Sequence, residues 1–206
     1  MNRKPVRNVA FDVGRVLFRW DMACLFGQLV DDRAELDYVL SHVVTEAWHF
    51  EHDAGRDLAE LVAERKLRFP GHGAVIDAYA TRFLETIPGP VPGSHELVEA
   101  LDARGVPLFA ITNFAEEFWA EFRPAHRVFD FFRDIVVSGI EKLAKPAPEI
   151  FELAARRFAI DPAETLFIDD NDANVAAAER LGWQVHHFQG APALRDDLAR
   201  RGLIDG

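Results

Sequence analysis

Apolar positions are unevenly spread along this chain. Short, nearly continuous apolar runs stand at residues 8–11, 106–111, 135–137 and 166–168, and the more polar 184–188 reads as a further strand. Runs of that length suit strands buried on both faces. Between the later runs, apolar residues recur at helical spacing instead. Ser94 is placed to cap a helix that closes near Gly105. Phe118, Trp119 and Phe122 mark a second that starts about Ala115 and stops before Pro124, and a third runs from Pro148. Asp161-Pro162-Ala163-Glu164 has the cap, proline, glutamate form of a one-turn helix. A helix over 173–181 stops at Gly182, and residues 194–198 close the chain in a last one. Strands alternating with helices predict an α/β fold, a Rossmann-like parallel sheet covered by helices on both faces.

Residues 21–86 break that rhythm. Asp21 can cap a helix carrying Met22, Leu25, Phe26 and Leu29; Tyr38, Leu40, Val43 and Val44 mark a second; Leu58, Leu61 and Val62 a third; Val75, Tyr79 and Phe83 a fourth. No strand is evident there. The block closes at Pro88-Gly89-Pro90-Val91-Pro92-Gly93, whose prolines cannot continue a helix. The expected organisation is a core of residues 1–18 and 89–206, interrupted by an all-helical cap at 19–88. Its hinges are residues 19–21 and the proline-glycine linker. Such a lid closes over a crevice and excludes water.

Composition narrows the function classes. With 206 residues, 49% hydrophobic and 28% charged, the chain can bury one sizeable core, or one core and a small insertion. Its 34 acidic and 23 basic residues give a formal charge of −11, which argues against nucleic acid as a partner. One small phosphate ester needs only local positive charge. Cys24 alone cannot form an internal disulfide, and Asp12 and Arg15 interrupt the apolar run a signal peptide would need. No stretch approaches a membrane span. These features point to a cytoplasmic monomer or homodimer that meets neither nucleic acid nor membrane.

The first apolar run ends at Phe11, and Asp12 follows directly. In an open parallel sheet the ligand crevice lies outside the carboxyl ends of the strands, so Asp12 is delivered into it. Read alone, an acidic residue there is more often a cap or a solvated turn. Thr112-Asn113 follow the run 106–111, Asp169-Asp170 follow 166–168, and Lys145 precedes Pro146 in the loop between. Each has an ordinary reading as turn, solvated lysine or capping cluster; their order along the chain is what those readings leave unexplained. If Asp12, Asp169 and Asp170 converge, each pair at ~5 Å repels by roughly 3 kcal/mol at a dielectric near 20. A hard divalent cation removes that repulsion, and Mg²⁺ suits carboxylates, a backbone carbonyl and waters.

In this order, Asp12, Thr112, Lys145 and Asp169-Asp170 resemble the four motifs of the haloacid dehalogenase superfamily, over the full length of the chain. Phe-Asp-Val-Gly-Arg-Val-Leu at 11–17 is similar to the phosphatase branch that includes α-D-glucose-1-phosphate phosphatase, where a glycine also stands two residues after the nucleophile. The resemblance implies a Mg²⁺-dependent phosphatase of a small phosphorylated metabolite, a sugar phosphate among the candidates. It makes Asp12 the nucleophile of an aspartyl-phosphate route and Lys145 its catalytic partner. Thr112, Asn113 and Lys145 would bind the phosphoryl group. Asp12, Asp169, Asp170 and the Gly14 carbonyl would hold the metal, Asp170 directly and Asp169 directly or through water.

Gly14 departs from the commonest family pattern, in which a second aspartate protonates the leaving group and later activates water. Three outcomes are open: a leaving oxygen acidic enough to need no help, as in a sugar 1-phosphate; an acid from the cap; or no efficient catalysis. The cap stretch 48–56 contains His49, Glu51, His52 and Asp53 beside Trp48 and Phe50. It reads equally as a substrate-facing loop or as a helix end with solvated charges. Arg15, where a small or amide residue is usual, is expected to point into solvent. His186 and His187 fall on opposite faces of a strand and read as structural. Two other functions compete. A metal-independent 2-haloacid dehalogenase would use the same aspartate and need no acid at Gly14, but such enzymes resemble Ser-Ser-Asn where this chain has Asp169-Asp170-Asn171. A non-catalytic binding protein on the same fold is the other.

Overall fold

The computed structural model describes residues 4–205. In chain order its elements are β1 (Asn8–Phe11), β2 (Phe18–Arg19), α1 (Ala23–Phe26), α2 (Arg33–Tyr38), α3 (Glu46–Asp53), α4 (Leu58–Arg68), α5 (Gly73–Arg82), β3 (Gly89–Pro90), α6 (Ser94–Ala103), β4 (Leu108–Thr112), α7 (Glu116–Phe122), β5 (Asp134–Val137), α8 (Ser138–Glu141), α9 (Pro148–Phe158), β6 (Thr165–Asp169), α10 (Asp172–Arg180), β7 (Gln184–His187) and α11 (Ala191–Arg200).

Five strands form one parallel sheet in the order β5-β4-β1-β6-β7. Val9 of the central strand stands opposite Leu108 on one side and Leu166 on the other. The apolar side chains of the central strands alternate between two cores. Val9, Phe11, Leu108, Ala110, Leu166 and Ile168 join one cluster, and Ala10, Phe109, Ile111 and Phe167 join the other. The second cluster is closed by Ile150, Phe151, Ala154 and Phe158, one stripe of α9, and by Ala177 and Ala178 of α10. The first continues without a break into the helical block: Leu25, Val39, Trp48, Leu61, Ile76 and Tyr79 belong to it. Each such side chain contributes roughly 1.5–3 kcal/mol by leaving water. The chain winds to one side of β1 through β4 and β5, then to the other through β6 and β7, which makes β1 the switch point where ligands of such sheets bind.

The block between β2 and β3 is helical, as its pattern predicts, but its pieces differ. The first helix covers only Ala23–Phe26, with Asp21 accepting the Ala23 N–H, and Leu29 lies exposed beyond it. The second is α2, extended by a π-helical turn over Val39–Val43. A separate helix, α3, occupies the stretch that reads as a loop or helix end, and Thr45 caps it by accepting the Trp48 N–H. Phe83 falls in a 3₁₀ turn after α5. Two short strands also went unpredicted: β2 and β3 pair antiparallel, Phe18 opposite Pro90 and Arg19 opposite Gly89, so the two linkers of the insertion lie side by side. Ser94 is not a cap. Gly93, at φ 83°, holds that position, and Ser94 is the first helical residue, its hydroxyl buried without a partner.

Candidate active site

The parallel sheet brings the carboxyl ends of its strands to one edge, and Asp12, Thr112, Ser138 and Asp169 stand at or just past four of them. Ligand oxygens of Asp12, Asp169 and Asp170 lie within 4.8 Å of one another. Lys145 is 1% exposed, with Nζ 2.8 Å from Asp12 Oδ1 and 2.7 Å from Asp169 Oδ2. The two aspartates that share it differ in what else they do. Asp169 accepts from Asn171 N–H at 2.8 Å and from Asn174 Nδ2 at 3.1 Å on both oxygens, and is fully buried. Asp170 is half-buried and lines the cavity above. His187 Nε2 donates to its main-chain oxygen at 2.9 Å, while His186 pairs with Asp197 instead, so the adjacent rings serve opposite sides of the strand.

Asn113 is committed to Lys145. Its Nδ2 donates to the Lys145 carbonyl and its Oδ1 accepts the Lys145 N–H, both at 2.9 Å, which fixes the loop that inserts the ammonium under Asp12. Thr112 is fully buried, its hydroxyl 3.5 Å from the Asn113 carbonyl oxygen. Gly14 lines the cavity beside Asp12, and a Cβ there would meet no atom within 4 Å.

A family model for haloacid dehalogenase-like hydrolases matches residues 26–182. The chain belongs to the haloacid dehalogenase-like hydrolases. A sesquiterpene phosphatase from Aspergillus oryzae is 27% identical over 194 residues, 92% of this chain and 90% of that protein. A phosphoglycolate phosphatase from Nitrosospira multiformis is 42% identical over a shorter segment, 42% of this chain and 39% of that protein. Among solved structures, a HAD-like family hydrolase from Porphyromonas gingivalis shares the fold at TM-score 0.70 and 21% identity, with 95% of this chain and 98% of that one covered. A Bacteroides thetaiotaomicron HAD family enzyme in complex with magnesium and inorganic phosphate does so at TM-score 0.64 and 22% identity, over 90% and 95%. Among the described residues no helix is long and apolar enough to cross a membrane.

The charge balance of this haloacid dehalogenase-like site is uneven. Three carboxylates against one ammonium leave two negative charges in a buried place. Burial pushes Asp12 up to about 7; the Lys145 charge opposes this, and Asp169 and Asp170 add to it. Asp170 is also raised, by burial first and then by Asp169. Burial works against the Lys145 charge, but Asp12 and Asp169 outweigh it and hold the ammonium above its ordinary range.

Above the cluster lies a cavity of about 330 Å³ roofed by the helical insertion. Trp20, Phe50, Phe83, Phe114, Phe122 and Ile87 are among its lining residues, as are His49 and Asp53 of α3. Arg15 is exposed, as expected, and also packs along the cavity rim. Its guanidinium lies 4.5 Å above the Trp20 ring, pairs with Glu46 of α3 and borders the cavity. Of the cap residues picked out by their chemistry, His49, His52 and Asp53 are buried, whereas Glu51 pairs with Arg56 on the surface. The residues that sequence reading passed over are Ser138, Asn174, Trp20, Tyr79 and Glu117. Ser138 had a usable signal, since it follows an apolar run as Asp12 does.

Proposed function

We propose that this chain is a Mg²⁺-dependent phosphatase that attacks a phosphate monoester with Asp12. The observation that carries the reading is Asp12 at the cavity floor, 2.8 Å from a buried Lys145 and within 4.8 Å of two further carboxylates. That donor set fits a hard divalent cation: it is all oxygen, carries excess negative charge, and leaves Asp12 half-protonated near neutrality without one. Asp12, Asp170 and the Gly14 carbonyl would hold Mg²⁺, with Asp169 directly or through water. Bound there, the ion would neutralise the cluster and lower Asp12 into its ionised form.

The ionised Asp12 oxygen attacks phosphorus in line, the ester oxygen leaves, and water hydrolyses the aspartyl-phosphate. Lys145 offsets the charge of nucleophile and phosphoryl group, and the hydroxyl of Thr112, buried at the end of β4, would bind a phosphoryl oxygen. Asn113 acts by holding the Lys145 main chain rather than through a free amide. Beside polar groups such as Arg19, Glu46 and His49, the lining presents the rings of Trp20, Phe50, Phe83, Phe114 and Phe122, on which an apolar leaving group would pack. The sesquiterpene phosphatase relative supports the same choice. A metal-independent haloacid route is disfavoured, because the substrate carboxylate would meet the Asp169 and Asp170 pair with no cation to neutralise it.

A panel of phosphate esters tests the reading, assayed with Mg²⁺ and with chelator, alongside halide release from 2-haloacids. Phosphate release that needs Mg²⁺ is expected. Along linear alkyl phosphates, kcat/KM should rise about fourfold per methylene until the cavity fills, from about 0.8 kcal/mol per buried CH₂. Asp12→Asn should abolish turnover with the far-UV spectrum unchanged. A folded Asn variant that still releases phosphate would remove Asp12 from the reaction.

A further inference from the structure

The insertion carries a line of titratable side chains into the cavity wall. His52 Nε2 lies 3.1 Å from Glu117 Oε2, and His52 Nδ1 lies 3.1 Å from the Tyr79 hydroxyl. That hydroxyl is 2.8 Å from His49 Nδ1, and His49 Nε2 is 3.1 Å from Asp53 Oδ2. Both histidines, Tyr79 and Asp53 are at least nine-tenths buried, and His49 and Asp53 border the cavity.

The hydrogens along this line are set by what each atom is able to do. A carboxylate only accepts, so His52 Nε2 carries a hydrogen toward Glu117. Burial holds His52 below its ordinary range, so the ring is neutral and Nδ1 offers a lone pair. Tyr79 donates to that lone pair, since burial keeps the phenol protonated. The Tyr79 oxygen is then free to accept, and His49 Nδ1 donates to it. At the far end His49 Nε2 faces Asp53 Oδ2. With both rings neutral and both carboxylates ionised, His52, Tyr79 and His49 supply three hydrogens for the four contacts, so completing the line takes one more proton. Asp53 Oδ1 is buried with no hydrogen-bond partner. Trp20 and Phe83 flank the His49 ring, and Glu46 and Arg15 pair with each other at the same cavity wall.

At Gly14 the core side of the cavity has no side-chain acid. Gly14 has no side chain, and no atom stands within 4 Å of where its Cβ would be. We infer that the His49 and Asp53 pair is the general acid of this site, held in its protonated state by Tyr79, His52 and Glu117. The inference rests on the phosphatase reading above. As the Asp12 oxygen bonds to phosphorus, the bond to the ester oxygen breaks with its electron pair on that oxygen. That oxygen takes the proton of the pair and leaves as an alcohol. When water attacks the aspartyl-phosphate, its proton refills the pair, the bond from phosphorus to Asp12 breaks, and phosphate departs.

The test compares hexyl phosphate with 4-nitrophenyl phosphate for the wild type, His49→Gln and Asp53→Asn, all with Mg²⁺. An acid matters most where the leaving oxygen is most basic. Both substitutions should therefore lower the alkyl-to-aryl ratio of kcat/KM by about 10²- to 10⁴-fold. Equal losses on both esters mean a structural role and overturn the inference, as does an unchanged ratio. Asp12→Asn separates the two layers. If it is inactive, the phosphatase reading stands whatever the ratio does; if it is active, that reading falls and the acid with it. Independently of turnover, ¹⁵N-histidine and ¹³C-aspartate spectra at neutral pH should show His49 protonated on both nitrogens or Asp53 protonated. A singly protonated His49 beside an ionised Asp53 overturns the inference even if neither variant folds.

Discussion

Lys145 and Asp170 belong to one cluster but have opposite energetics. Lys145 is walled in between Asp12 and Asp169, so Lys145→Ala leaves buried carboxylates uncompensated. Breaking a buried pair in this way costs about 3–5 kcal/mol, and the melting temperature should fall by roughly 6–20 °C. Asp170→Ala removes a negative charge from a crowded place, so the metal-free protein should melt no lower, while half-maximal activity should need more Mg²⁺. Thermal melts and a Mg²⁺ titration of both variants check this; an Asp170→Ala enzyme with an unchanged Mg²⁺ requirement would remove Asp170 from the ligand set. Asp12 supplies a pH signature. Its folded pKa, about 7, lies above its ordinary value of 3.8, so its contribution to stability is full below that ordinary value and is lost as pH rises through about 7. In metal-free buffer the melting temperature of the wild type relative to Asp12→Asn should fall between about pH 4 and about pH 7 and level off above that. A flat difference would mean that Asp12 ionises normally in the folded protein. Asp12, Lys145 and the Asp169-Asp170 pair were legible in the sequence because a strand end and a residue type suffice to mark them. The clamp of Asn113 on Lys145 was not, since it joins residues 32 apart through a loop path that no periodicity encodes.

Strand ends and loops at the sheet edge also hold the insertion down. The Ser138 hydroxyl, at the start of α8, donates to the Asp53 carbonyl at the end of α3 and accepts the Phe114 N–H at 2.9 Å. Next to it, Gly139 packs so closely on the start of α7 that a Cβ would lie 2.5 Å from Glu116 N and 2.8 Å from Phe114 O. Ser138→Ala should therefore free the carboxyl end of α3 and raise amide exchange in residues 46–55, with KM affected more than the melting temperature. Gly139→Ala should instead push α7 and α8 apart and destabilise the whole fold by about 1–3 kcal/mol. Exchange that is unchanged in Ser138→Ala would show that ring contacts, such as His49 stacked on Phe83 at 4.7 Å and His52 edge-on to Phe118 at 4.9 Å, hold α3 without help. The alternating strands and helices after residue 93 were readable because each run has one period and one length. The insertion was harder: α3 presents polar, aromatic and charged residues on every turn, and what makes it a helix is tertiary burial of Trp48, His49 and His52. The strands β2 and β3 were hidden because two residues are too few to show alternation.

For the whole molecule, charge and shape pull in different directions. A formal charge of −11 repels an anionic ester, although the site itself is built to hold one. With Mg²⁺ saturating, kcat/KM should rise as ionic strength goes from about 0.02 to about 0.2 M, because salt screens the long-range repulsion and leaves buried contacts alone. A fall over that range would mean that local positive charge dominates the approach. The antiparallel pairing of β2 with β3 has an effect of another kind. Phe18 and Pro90 are neighbours in space, so from the standpoint of the sheet everything between them is one loop whose ends already touch. The entropy of closing such a loop grows only with the logarithm of its length, about 0.6 kcal/mol for each doubling. Lengthening or replacing the insert therefore asks little of the rest of the fold. A different roof grafted at this seam should leave the five-stranded platform in place and change only what the cavity admits.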